Sequence, residues 1–148
     1  MCGFTAILNN KQKPVSDRVL REMTRMIAYR GPDGEGFFTD GPVGLGHRRL
    51  AVIDLSAAAA QPMISRDGRY ILVYNGEVYN FMELREELSR LDYRFESRSD
   101  TEVVLKALIQ WKENALNRFN GMFSLVLYDT PRRTTLIAQD RSSTNPLY

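Results

Sequence analysis

The chain has 148 residues, of which 43% are hydrophobic and 26% charged, with a formal net charge of +2 at pH 7. That length suits one domain with a real core, the composition is that of a globular chain rather than a disordered, fibrous or membrane-spanning one, and so mild a charge gives no argument for a nucleic-acid partner. Cys2 is the only cysteine and His47 the only histidine, so no internal disulfide and no metal site are expected, and a reducing cytoplasm is the expected location. No apolar run nears transmembrane length, so no membrane partner is expected, and the first ten residues lack the basic leader and long apolar core of a secretory signal.

Residues 3–9 read as a short apolar strand. Pro14 and Ser16 open a helix expected to run to about Tyr29, with Val19, Leu20, Met23, Met26 and Ile27 on its apolar face. Arg30-Gly31-Pro32-Asp33-Gly34 stops it, because Gly and Pro together break a helix. Short strands are predicted around 36–39, 43–47 and 50–55, followed by Ala57 to Pro62 as a linker. The run from Arg69 to Tyr74 is β-rich, and Asn75-Gly76 and Glu77-Val78-Tyr79 follow it. Asn80 with Glu83, and Ser99 with Glu102, have the spacing of capping boxes. The first opens a helix with Leu84, Leu88 and Leu91 inward; the second opens one with Val104, Leu105, Leu108, Ile109 and Trp111 inward. Residues 122–128 are nearly all apolar, as in a buried strand, and a turn at 130–133 leads to a partner strand at 134–139. Neighbouring short strands with hairpin-like turns predict mainly antiparallel sheets with helices packed outside them.

Cys2 stands out by position. If Met1 is removed, one residue carries both a thiol and a free α-amine. Such an amine titrates near ~7.7–8.0, close to where a general base works best, and a nucleophile activated by its own terminal amine is a known catalytic arrangement. The plain alternative is a small apolar residue entering the first strand. Asn75-Gly76 likewise has two readings. Between β-rich runs it signals a hairpin turn; alternatively the Asn side-chain amide and the adjacent N–H form an oxyanion hole, with glycine allowing close approach. Of Arg48 and Arg49, one aimed into a pocket would grip a carboxylate in a bidentate fork. Asp100 at a helix start either caps the helix or binds a substrate ammonium. His47 reads as structural. Together these groups suit an α-amino acid with a side-chain carbonyl to attack, although composition alone does not make them converge.

Several blocks carry a family likeness: Met1-Cys2-Gly3, Arg30-Gly31-Pro32-Asp33-Gly34, Gly46-His47-Arg48-Arg49-Leu50 with Ile53-Asp54, Gln61-Pro62-Met63, Tyr74-Asn75-Gly76-Glu77-Val78-Tyr79-Asn80, Ser99-Asp100-Thr101-Glu102 and Asn120-Gly121-Met122-Phe123. In this order they span nearly the whole chain, which resembles the class II, N-terminal-nucleophile glutamine amidotransferase domain. Within that group it looks most like the N-terminal domain of glutamine-dependent asparagine synthetase. The resemblance implies an αββα sandwich, two antiparallel sheets face to face with helices outside, over residues 1–148 and incomplete at the C-terminus. It implies hydrolysis of the side-chain amide of L-glutamine through a γ-glutamyl thioester on Cys2, with Asn75 and Gly76 holding the oxyanion. Arg49 would bind the glutamine carboxylate and Asp100, helped by Glu77, its amine. The backbone of Leu50, Ala51, Val52 and Ile53 would line the pocket, bordered by the loop of Arg30.

The resemblance further implies that the glutaminase domain needs no cofactor, that ATP and magnesium belong to a C-terminal synthetase domain not contained here, and that this domain uses the released ammonia to make asparagine from aspartate. Oligomeric state stays open, a homodimer among the options. Two segments depart from the family pattern. Residues 142–145 lack the usual Gly and Lys before Pro146, which strains a turn that Asn145 could tolerate, and Ala57 to Ala60 replaces a loop that usually carries glycine. The rival reading is a non-catalytic, glutaminase-like docking module, which a retained Met1 would favour.

Overall fold

Alternation of side chains across two sheets sets the architecture of the computed structural model, which describes residues 2–10 and 13–148. The expected removal of Met1 concerns a residue outside these. The elements are β1 (Gly3–Leu8), α1 (Asp17–Met26), β2 (Gly34–Asp40), β3 (Val43–Arg49), β4 (Met63–Ile64), β5 (Tyr70–Val78), α2 (Phe81–Arg90), α3 (Asp100–Trp111), β6 (Gly121–Asp129) and β7 (Thr134–Gln139), with short 3-10 segments between some of them. One sheet has the order β1-β3-β2 and the other β4-β5-β6-β7; every pairing is antiparallel.

On β5 the odd residues Ile71 and Val73 meet Val43 and Leu45 of β3 and Val126 and Tyr128 of β6 in the layer between the sheets. The even residues Tyr70, Leu72, Tyr74 and Val78 pack instead with Leu84 and Leu88 of α2 and with Val104, Leu105 and Leu108 of α3. Helix α1 covers the outer face of the first sheet, completing the αββα sandwich. A period of two thus divides each strand between two cores.

The structure revises several local expectations. α1 ends at Met26 and buries only Leu20 and Thr24, while Val19, Met23 and Met26 are exposed. The buried threonine is satisfied by the Leu20 carbonyl and the Thr5 hydroxyl. Residues 50–55 form a loop rather than a strand. Asn75-Gly76 is not a turn: it lies inside β5, opposite Ser124 and Phe123 of β6. Pairing with a long, apolar β6 outweighs the local turn preference. The Asn80 capping box does not form, because the Asn80 side chain instead bonds the Asn120 N–H and the Arg118 carbonyl. The second box forms by half: Ser99 caps α3 by accepting from the Glu102 N–H, but the Glu102 carboxylate turns to the N–H groups of Glu96 and Ser97. Leu91 is exposed. The Ala57 to Ala60 stretch contains a 3-10 turn that buries Ala59.

The strained turn at 140–145 is present, and it falls on Ser143, whose φ is 51°, rather than on Asn145. Asp140 holds the loop by accepting from the N–H groups of Ser142 and Thr144. A left-handed residue with a side chain costs ~1–2 kcal/mol, more than the ~0.5–1 kcal/mol of unfolded-chain entropy that glycine adds. Ser143→Gly also gives up the exposed bond from Gln139 Nε2 to the serine hydroxyl, so it is expected to stabilise the fold by about 0.5 kcal/mol, read as a higher urea midpoint at unchanged slope. A lower midpoint would contradict the strain.

Candidate active site

β5 is nine residues long but has a strand on its outer edge only where β4 pairs with Ile71 and Leu72. In an antiparallel strand the N–H groups of alternate residues point to opposite edges, so those of Tyr74, Gly76 and Val78 follow Leu72 onto the side that β4 has left. Two of these donors are taken up by side chains. Tyr74 N donates to Gln61 Oε1 at 2.6 Å and Val78 N to Asp100 Oδ2 at 3.2 Å. Gly76 N lies between them, facing a cavity of about 200 Å³. A Cβ at Gly76 would stand 2.3 Å from the Met122 carbonyl oxygen, so only glycine fits.

Cys2 reaches this cavity from the start of β1. Its Sγ lies 3.3 Å from Leu50 N and 3.5 Å from Leu50 O. Arg30 Nε donates to the Cys2 carbonyl at 2.9 Å, which fixes the main chain of Cys2. The Arg30–Gly34 segment then locks onto the end of β3. Asp33 N donates to Arg49 O at 3.0 Å, and Asp33 Oδ2 accepts from Ala51 N at 2.9 Å. Gly31 permits this close crossing, since a Cβ there would be 2.4 Å from the Arg48 carbonyl carbon.

Arg49 shares the strand face of His47 and enters the cavity, whereas Arg48 turns to Glu35 at 2.7 Å and to the Gly31 carbonyl. The Arg49 guanidinium donates to the carbonyls of Asp54 and Ser56, closing residues 50–56 into a loop whose Leu50, Ala51, Val52 and Ile53 line the cavity. Asp54 ties that loop to the approach of α3 by accepting from Arg98 N at 2.7 Å. The Ser56 hydroxyl, with the N–H groups of Arg98 and Ser56, holds the Asp54 carboxyl down at about 2.

Asp100, the first residue of α3, accepts from the Tyr74 hydroxyl at 2.8 Å as well as from Val78 N, both on Oδ2. Burial pushes its carboxyl above the ordinary range despite these bonds. Asn75 is 7% exposed, and among the described residues its side-chain amide makes no hydrogen bond. Cys2, Arg49, Leu50, Ala51, Val52, Ile53, Asn75, Gly76, Glu77 and Asp100 all line the one cavity. Its volume is below the ~300–1,000 Å³ of pockets for drug-sized ligands and suits a molecule the size of an amino acid.

Sequence reasoning gave no role to Tyr74, Gln61, Asp33 or Asp54. Each stands in one of the quoted motif blocks, but its partner is distant in sequence, so spacing alone carried no signal. Among the described residues no cluster of three or more His, Cys, Asp or Glu side chains could hold a metal ion, and no described helix is long and apolar enough to cross a membrane.

A family model described as a glutamine amidotransferase domain matches residues 1–148. Over 151 residues the chain is 38% identical to the glutamine-hydrolyzing asparagine synthetase 1 of Bacillus subtilis (strain 168), covering all of this chain and 24% of that protein. It is 36% identical over 149 residues to a glutamine-hydrolyzing asparagine synthetase of Lotus japonicus, again across all of this chain and 25% of the relative. The chain thus spans about a quarter of the length of these curated relatives. Its fold matches that of glutamine phosphoribosylpyrophosphate amidotransferase from B. subtilis with a TM-score of 0.76, over 95% of this chain and 37% of that one, at 19% identity.

His47 sits beside the cavity, fully buried between the sheets, with Nε2 3.3 Å from the Tyr74 carbonyl oxygen. Burial lowers its pKa to about 4, against the bond to Tyr74 and with help from the Arg49 charge. The unfolded chain takes up this proton near 6.5 and the folded chain only near 4, so the unfolded state binds more protons between those values. Folding stability therefore falls as pH drops from about 6.5 to about 4, by up to ~3 kcal/mol. Asp100, with its raised carboxyl, contributes the opposite slope. His47→Gln should flatten the loss, measured as urea midpoints across this range; equal slopes for parent and variant would contradict the assignment.

Proposed function

Because the chain belongs to the glutamine amidotransferase domain family, we propose that its cavity hydrolyses the side-chain amide of L-glutamine. The observation that carries this reading is the meeting, in one cavity, of the Cys2 thiol with the Asn75 amide, the Gly76 N–H on an uncovered strand edge, one arginine and one buried carboxylate. The set matches glutamine end for end: a cation for its α-carboxylate, an anion for its α-ammonium, and a nucleophile with oxyanion donors for its δ-carbonyl.

With Met1 already removed, the α-amine of Cys2 takes the thiol proton as sulfur attacks the amide carbon. The carbonyl oxygen becomes an oxyanion and accepts hydrogen bonds from Asn75 Nδ2 and Gly76 N–H. Collapse of the tetrahedral adduct breaks the C–N bond, and the amine returns its proton to the departing ammonia. Water then attacks the γ-glutamyl thioester, releasing glutamate and restoring Cys2. Arg49 grips the substrate carboxylate with the donors that its loop carbonyls leave, and Asp100, assisted by Glu77, grips the ammonium. The chemistry calls for no cofactor or metal in the cavity. The ammonia passes to a synthetase domain outside this chain that uses ATP and magnesium to amidate aspartate, in a cytoplasmic protein. The identity to glutamine-hydrolyzing asparagine synthetases supports that acceptor.

Two substitutions test the assignment by failing in different ways. Cys2→Ala should abolish glutamine hydrolysis with the fold intact, since it removes a sulfur and little core volume; retained turnover would mean another nucleophile, whereas a parent protein without turnover would leave the docking-module reading. Asn75→Ala removes a donor aimed at charge that develops only in the transition state, so steady-state kinetics should show kcat lowered by ~10²–10³ with a smaller change in KM. A pure KM effect would remove Asn75 from the oxyanion site.

A further inference from the structure

The Tyr74 side chain belongs to the core between β5 and the helices, yet its hydroxyl ends on a group that the substrate is read to need. We propose that Tyr74 is a positioning residue for substrate recognition: its buried hydroxyl fixes the Asp100 carboxylate so that one oxygen stays available to the α-ammonium of glutamine. The proposal rests on the glutaminase reading of the cavity.

Tyr74 is 2% exposed and Asp100 5%. The 2.8 Å bond from the tyrosine hydroxyl and the 3.2 Å bond from Val78 N fall on the same oxygen, Oδ2, and neither occupies Oδ1. The carboxylate torsion of aspartate is broad and two-fold; the N–H groups of Val78 and Thr101 also reach this carboxyl, and the tyrosine hydroxyl joins Val78 N on Oδ2, which fixes the oxygen that the protein itself uses. Tyr74 is itself held at three points. Its N–H is bonded to Gln61 Oε1, its carbonyl lies 3.3 Å from His47 Nε2, and its ring packs in the core between the second sheet and α3. The hydroxyl is therefore placed by β5, and it places a residue of α3 in turn. A hydroxyl also suits the task chemically. It solvates a desolvated carboxylate without neutralising it, where a lysine or arginine at this point would compete with the substrate ammonium for Asp100.

A buried tyrosine hydroxyl needs some partner in any protein, so the test separates positioning from mere packing. Hydrolysis of glutamine is compared with hydrolysis of 4-carbamoylbutanoate, which is glutamine without its α-amine, in the full-length protein. Tyr74→Phe keeps the ring. It is expected to raise KM for glutamine about tenfold, the scale of one hydrogen bond to a charged group, to leave kcat within about threefold, and to leave kcat/KM for the amine-free analogue unchanged. Equal losses on both substrates, or no loss on glutamine, would overturn the proposal. Asp100→Asn run in parallel separates the two levels. If it fails to give a glutamine-specific loss, the assignment of Asp100 falls and this inference with it. If it gives that loss and Tyr74→Phe does not, only the inference falls. Should the phenylalanine variant not fold, 3-fluorotyrosine incorporated at position 74 alters the donor strength without removing the hydroxyl. A changed KM ratio between the two substrates supports the proposal and an unchanged one overturns it.

Discussion

A strand edge left bare is the constraint on which the candidate site depends. β4 is two residues long and covers β5 only at Ile71 and Leu72, so the next outward-facing N–H groups, at 74, 76 and 78, need other partners. Buried donors without acceptors are costly. Gln61 satisfies the first and Asp100 the last. The middle one faces the cavity, at a residue where a side chain would collide with β6. A longer β4 would close that edge and leave no donor for the proposed oxyanion. The bare edge also explains why two side chains from distant parts of the sequence, Gln61 and Asp100, are drawn to the same strand.

The rest of the site is built by fixing backbone. Arg30 holds the Cys2 carbonyl, and Asp33 holds both the end of β3 and the N–H of Ala51. Arg49 draws in the carbonyls of Asp54 and Ser56, and the Asp54 side chain reaches across to Arg98, two residues before Asp100. The carboxylate grip and the ammonium grip of the proposed reaction are thereby joined through one loop, 50–56. Much of the polar chemistry in the Arg30–Gly34 motif is spent on positioning, which accounts for a charged, glycine-containing turn at a place where a plain helix stop would need only Gly and Pro.

The layers and the lining residues were legible in the sequence to different degrees and for different reasons. Neighbouring short β-rich runs with hairpin-like turns, and the apolar run of β6, pointed to sheets with helices outside, and Ser99 marked the start of α3 correctly. The sandwich itself, and the convergence of Cys2, Arg49, Asn75 and Asp100, came from the motif blocks rather than from periodicity. Local rules failed where tertiary pairing overrode them. Asn75-Gly76 has the composition of a turn but is held extended by Ser124 and Phe123, and Asn80 gives up a helix cap to bridge to Asn120 and Arg118. The hydroxyl of Tyr74 was illegible because β-rich tyrosines usually signal packing, and its partner lies 26 residues away. The choice between Arg48 and Arg49 was readable in principle, since Arg49 shares its face of β3 with the buried His47.

The central claim is that Cys2, freed of Met1, attacks the δ-carbon of glutamine. Intact-mass spectrometry of the protein after exposure to a glutamine analogue bearing an electrophile at the δ-position tests it most directly. The account predicts an N-terminus beginning at Cys2, one adduct per chain located on that residue, and protection from labelling by excess L-glutamine. An N-terminus that keeps Met1 in a protein that still turns over glutamine, or an adduct located on any other residue, would contradict it.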